Sequence, residues 1–180
     1  MKSAWLAAAA AILFASACTP QERAPGAAQA AGEGIHYTGA DALGIGRHIS
    51  IVGGCNDCHT QDFNIRGLAI PESERLLGSN MGHYGPWGTS YASNLRIVAA
   101  SMSEDEWVEM MRTRNGLPPM PWEIIHHYSA EDMRALHQYI RSLGDVGQPV
   151  PTALPPGPPP PEPYTDYLTH AGPPPAAPPG

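Results

Sequence analysis

Lysine is all but missing from this chain. It occurs once, at Lys2, and the other nine cations are arginines set against 17 acids, for a formal net charge of −7. That balance argues against nucleic acid as a partner, because a polyanion is held by clustered cations. A basic docking surface on another protein suits it better. Cysteine is scarce too, with Cys18, Cys55 and Cys58 alone, so a framework of several disulfides is excluded. No apolar run spans a bilayer comfortably; the run from Ala4 to Ala15 is too short. Sustained strand alternation and internal repeats are also missing.

The ends offer little to a core. Residues 1–17, MKSAWLAAAAAILFASA, pass from one cation through an apolar stretch to small residues, the pattern of a signal peptide. Ala15-Ser16-Ala17 satisfies the small-x-small rule for cleavage before Cys18. Phe14 to Cys18 also resembles a bacterial lipoprotein box, with Ala15 where leucine is usual. The expectation is an exported, periplasmic chain held at a membrane face by lipid on Cys18; the alternative is a soluble chain with an unpaired thiol. Residues 18–36 read as a flexible tether. Residues 145–180 hold 14 of the 21 prolines and read as an extended proline-rich tail, with Tyr164 and Tyr167 able to pin its first part to a surface.

Residues 37–144 read as the domain. A first helix is predicted over about 40–53, with Ala42, Ile45, Ile49 and Val52 on one stripe and Gly53-Gly54 as its stop. A second follows Ser103, with Glu106 completing a capping box and Trp107, Met110 and Met111 on its apolar face. A third follows Ser129 and carries Met133, Leu136, Ile140 and Leu143. Between the first two lies a stretch, 60–102, with few periodic apolar positions and one short helix expected near Glu72–Leu77. So long a loop inside a small domain is anomalous unless it wraps something large that is not protein.

The motif Cys55-Asn56-Asp57-Cys58-His59 supplies a reason. Zinc needs three or four protein ligands, and no second cysteine pair is available. A redox dithiol expects a βαβ setting and leaves His59 without a role. Covalent haem attachment uses every position: two thiols meet the two vinyl groups, and the adjacent imidazole faces the iron. Shuffling this composition yields the pattern about 0.002 times per chain. Export and the long loop both agree with one covalent haem c.

The sixth iron ligand separates a carrier from a catalyst. Met110, Met111 and Met133 sit on helix stripes, where core packing explains them. Met120 lies in Leu117-Pro-Pro-Met-Pro-Trp122, a stiff non-helical segment that can present one thioether at small entropic cost. His126 and His127 are the competing ligands, and would give an iron of lower potential.

The order helix, CNDCH, long loop, capped helix, LPPMPW and closing helix resembles the small all-α cytochromes c. GRHISIVGGCNDCHT, GPWGTSYASN and PPMPW are similar to the cytochrome modules that accompany bacterial alcohol, aldehyde and gluconate dehydrogenases. The resemblance implies an all-α cytochrome c fold, with N- and C-terminal helices crossing and a long haem-wrapping loop. It implies thioethers at Cys55 and Cys58, with axial ligation by His59 and Met120. It implies that the Pro71 carbonyl holds the other nitrogen of His59, that Gly46 and Tyr139 meet where the helices cross, and that Trp87, Tyr91 and Asn94 lie near the haem propionates. After Asn94 the chain departs from those modules, reading Leu95-Arg-Ile-Val-Ala-Ala. The implied function is one-electron transfer, with a dehydrogenase, an oxidase or another cytochrome as redox partner. The alternatives are a haem enzyme or gas-binding haem protein with a labile sixth ligand, and an interaction module that uses the proline-rich tail.

Overall fold

Four helices with side-chain caps frame the chain in the computed structural model, which describes residues 41–144 and 147–168. The expected signal peptide and tether, Cys18 and the end of the tail lie outside the described residues. Helix α1 (Ala42–Val52) starts at Asp41, whose carboxylate accepts from the Gly44 N–H at 2.7 Å. The short α2 (Cys55–His59) and α3 (Phe63–Arg66) follow. Helix α4 (Leu95–Ala100) is capped by Asn94. Helix α5 (Glu104–Thr113) carries the full Ser103–Glu106 capping box. Helix α6 (Trp122–Ile125) is one turn, and α7 (Ala130–Ser142) starts from Ser129. The caps satisfy N–H groups that a helix start otherwise leaves without acceptors.

Helices α1 and α7 cross at Gly46. A Cβ there would lie 2.0 Å from the Ala135 carbonyl oxygen and 2.7 Å from Tyr139 Cβ, so only glycine lets the two backbones approach this closely. The fully buried Ile49, Met133 and Ile140 fill the seam, and Leu76 and Trp107 close the core around it.

The all-α expectation is overturned by a three-stranded mixed sheet, ordered β2-β1-β3. Strand β1 (Gly82–Gly85) pairs antiparallel with β2 (Gly88–Tyr91), with Gly85 opposite Gly88. Strand β3 (Tyr164–Asp166) comes from the proline-rich tail and pairs parallel with β1, with Gly82 opposite Tyr164. The sequence hides this sheet for a physical reason. The strands are four, four and three residues long, too short to display a period-two pattern. Glycine opens and closes β1, and β3 sits among prolines that suppress a strand reading.

The long segment 60–94 is stitched down by hydrogen bonds. Gly78 N donates to His59 O at 2.8 Å, Ser79 N to Ala92 O at 3.0 Å and Leu95 N to Leu76 O at 3.0 Å. Arg96 is the main clamp. The residue is 1% exposed, and its guanidinium donates to three carbonyls: Arg75 at 2.9 Å, Glu72 at 2.6 Å and Leu143 at 2.6 Å. One side chain thus ties the 72–75 turn to the C-terminal end of α7, where a cation also complements the helix dipole. Burial lowers its pKa, but an arginine stays charged, so its donors must stay satisfied. Arg96→Ala removes this donor from all three carbonyls, of which Glu72 O keeps the Arg75 N–H, and is expected to destabilise the chain by roughly 3–5 kcal/mol. Arg96→Lys, with no fork, recovers only part of that. Denaturant midpoints of the two variants check the order.

Candidate haem site

Asn56 fixes the cysteine motif. Its amide donates to Ser50 O at 2.8 Å and its carbonyl accepts from Thr60 Oγ1 at 2.8 Å. The motif's first turn is thereby locked between the end of α1 and the loop beyond. The sequence CNDCH forms one helical turn, which brings Cys55, Cys58 and His59 to one cleft of about 320 Å³. That volume lies in the range of small-molecule and cofactor sites. Apolar side chains from α5, α6 and α7 line the opposite wall, among them Trp107, Met111 and Leu136.

The thiols are free, not joined as a disulfide. Burial pushes the Cys55 thiol up to about 12, and it raises Cys58, with the Asp57 carboxylate adding to the effect. A redox thiolate needs the opposite surroundings, a cation or a long helix N-terminus. Among the described residues no three His, Cys, Asp or Glu side chains come together as a metal cage, which leaves the zinc reading without its ligands.

His59 is buried, 7% exposed. Burial lowers its pKa, opposed by the bond to the Ser93 carbonyl, so the neutral imidazole is favoured. Its Nδ1 meets Ser93 O at 2.8 Å. A carbonyl accepts only from N–H, so the proton sits on Nδ1 and the Nε2 lone pair is left toward the cleft. That is the tautomer a metal-binding histidine needs. The partner is not the expected Pro71, whose carbonyl accepts from Glu74 N at 2.9 Å and lies outside the lining.

The other expected residues divide. Met120 and Tyr91 line the cleft. Asn94 does not: it caps α4, accepting from the Arg96 and Ile97 N–H groups. Trp87 does not line it either; its indole donates to His83 O at 3.2 Å. His126 is turned away, with Nε2 at 3.0 Å from Arg114 O, and neither His126 nor His127 lines the cleft. His83, which sequence reasoning passed over, does line it. So do Met110 and Met111, but from a helix.

Met120 is held from two sides. Ser90 of β2 donates to the Pro118 carbonyl at 2.5 Å, and Trp122 N donates to Met120 O at 3.0 Å. The hairpin therefore anchors the proline-rich Met loop to the wall that also carries the Ser93 carbonyl.

Two buried polar atoms in the lining have no partner. The indole nitrogens of Trp107 and Trp122 are enclosed without an acceptor. A buried orphan donor costs about 1–3 kcal/mol, and two in one cleft suit a bound molecule that carries acceptors. Haem has two carboxylates, an apolar macrocycle and two vinyl groups, so the donor set fits it. The Arg114 guanidinium, 5.6 Å from the Trp122 ring centroid, adds a cation at the same rim.

Comparison with family models, characterised proteins and solved structures gives no match. The chemistry of the site therefore stands on its own residues.

Proposed function

We propose that this chain is a periplasmic one-electron carrier that holds a single covalent haem c through Cys55 and Cys58. His59 and Met120 are the side chains that would hold its iron. The observation that carries this reading is one cleft that gathers both thiols, an imidazole with its Nε2 lone pair uncommitted, and the proline-framed thioether.

When bound, haem supplies the reversible one-electron chemistry of its iron. The chain does the rest. Asn56 and Ser93 fix the cysteine turn and the imidazole plane. The Pro118–Pro121 segment offers a neutral, soft sulfur, which favours the reduced state and raises the potential. Trp107, Met111 and Leu136 exclude water, which pushes the potential the same way. With both His59 and Met120 holding the iron, no position would be open to a substrate, which is the difference between a carrier and a haem enzyme.

The acidic balance of the chain suits a donor or acceptor with a basic docking face, such as a dehydrogenase or a terminal oxidase. Lipid attachment at Cys18 would keep the carrier at the membrane where those partners work.

The test is a reduced-minus-oxidised spectrum of the exported protein with and without carbon monoxide. The expected result is a reversible low-spin haem c spectrum that carbon monoxide leaves unchanged. Rapid carbon monoxide binding by the resting ferrous protein would favour the gas-binding or enzymatic alternative.

A further inference from the structure

The proline-rich tail is not spare chain. Residues 147–168 run back across the hairpin and are fastened at five places. Leu154 and Thr89 exchange two backbone hydrogen bonds, at 2.8 and 2.9 Å. Gly82 N donates to Pro163 O at 3.0 Å and Tyr167 N to Tyr84 O at 2.8 Å. Tyr84 Oη donates to Gly157 O at 2.8 Å, and Asn94 Nδ2 to Gln148 O at 3.4 Å. Prolines suit this path because they remove donors and leave carbonyls to accept, while the extended backbone has little entropy to lose. Gly88, at φ +96°, makes room: a Cβ there would sit 2.1 Å from Leu154 O.

The strap reaches the cleft itself. Ala153 belongs to its lining, together with Cys58 and His83. Tyr167 lies over His83, with its hydroxyl 3.3 Å from Nδ1 and its ring centroid 5.8 Å from the imidazole and 5.8 Å from the Trp87 ring. A tail built for docking would keep such anchors for its partner; here they are spent on the chain's own hairpin.

We infer that the strap covers one edge of the cofactor cleft, through Ala153 in its lining and through Tyr167, which is half-exposed and packs from outside on the lining residue His83, shielding it from solvent and small reagents. This rests on the haem reading above. Solvent exposure is one of the protein's levers on a haem potential, so the strap would share in setting it.

The test uses the full-length, haem-loaded chain. Wild type, Tyr167→Ala, Tyr167→Phe and Leu154→Pro are compared in midpoint potential and in one-electron reduction by hexaammineruthenium(II) or oxidation by ferricyanide. Leu154→Pro removes the strap N–H that donates to Thr89 O and alters no residue of the hairpin. Exchange of the Tyr167 amide, which donates to Tyr84 O and is present in every variant, reports strap seating whether or not haem is present.

Tyr167→Ala and Leu154→Pro are expected to lower the midpoint and speed both reagents severalfold. Tyr167→Phe, which keeps the ring, should behave as wild type. Unchanged rates and midpoints in Tyr167→Ala, or in a Leu154→Pro chain whose Tyr167 amide has lost its protection, would overturn the strap's role while leaving the haem reading intact. Slower exchange at an unchanged midpoint would also overturn it, making Tyr167 a conductor in place of a cover. Wild type lacking covalent haem would remove the haem reading, and the inference with it.

Discussion

Met120→Ala is expected to lower the haem midpoint by on the order of 0.1 V, within the roughly 0.8 V that axial ligation commands. The argument runs from the sulfur outward. A thioether is a neutral donor that favours ferrous iron, and replacing it by water or a nitrogen removes that preference. The variant should also lose the charge-transfer absorption of thioether ligation and gain carbon monoxide binding. The fold should change little, because Met120 is partly buried at the edge of the core on a segment secured by Ser90. His83 is the informative competitor, since it is the other histidine in the cleft besides His59. If Met120→Ala keeps a low-spin spectrum and an unchanged midpoint, while His83→Ala loses both, the sixth ligand is His83.

The double variant Cys55→Ser/Cys58→Ser should lose covalent haem altogether, because a hydroxyl does not replace the thiol that adds to each vinyl group. Haem would then be removable by acid and organic solvent, where the wild-type attachment resists both. Each single variant should keep one thioether and attach haem in reduced yield. The apolar wall remains in all three. A small residue of non-covalent haem bound through His59 is therefore expected in the double variant, and a haem stain after denaturing electrophoresis distinguishes the two modes.

Some of this molecule is legible in its sequence. Ser103 with Glu106 three residues on, and Ser129 before an apolar stripe, announce α5 and α7 because caps and periodicity are local signals. The proposed chemistry of CNDCH is likewise a local reading, because five adjacent residues carry it. What is not legible depends on contacts distant in sequence. The His59 partner is a backbone carbonyl at Ser93, and a carbonyl has no signature in the side-chain code. Arg96 acts as a buried clamp on carbonyls 21, 24 and 47 residues away, with no carboxylate to mark it. Asn94 reads as a site residue by resemblance, yet the departure that follows it, Leu95 to Ala100, is the helix it caps. Strand β3 exists only because β1 offers an unpaired edge, and tail prolines conceal it. The sheet thus appears where tertiary pairing overrides local preference.

The claim at the centre of this account is that the cleft beside CNDCH carries one covalently attached haem. The most direct test is the intact mass, under denaturing conditions, of the chain exported by a bacterium that attaches haem c. The account predicts a single species heavier by one haem than the processed polypeptide, with no free thiol at Cys55 or Cys58. A polypeptide of unmodified mass, or one lighter by two hydrogens through a Cys55–Cys58 disulfide, would contradict it.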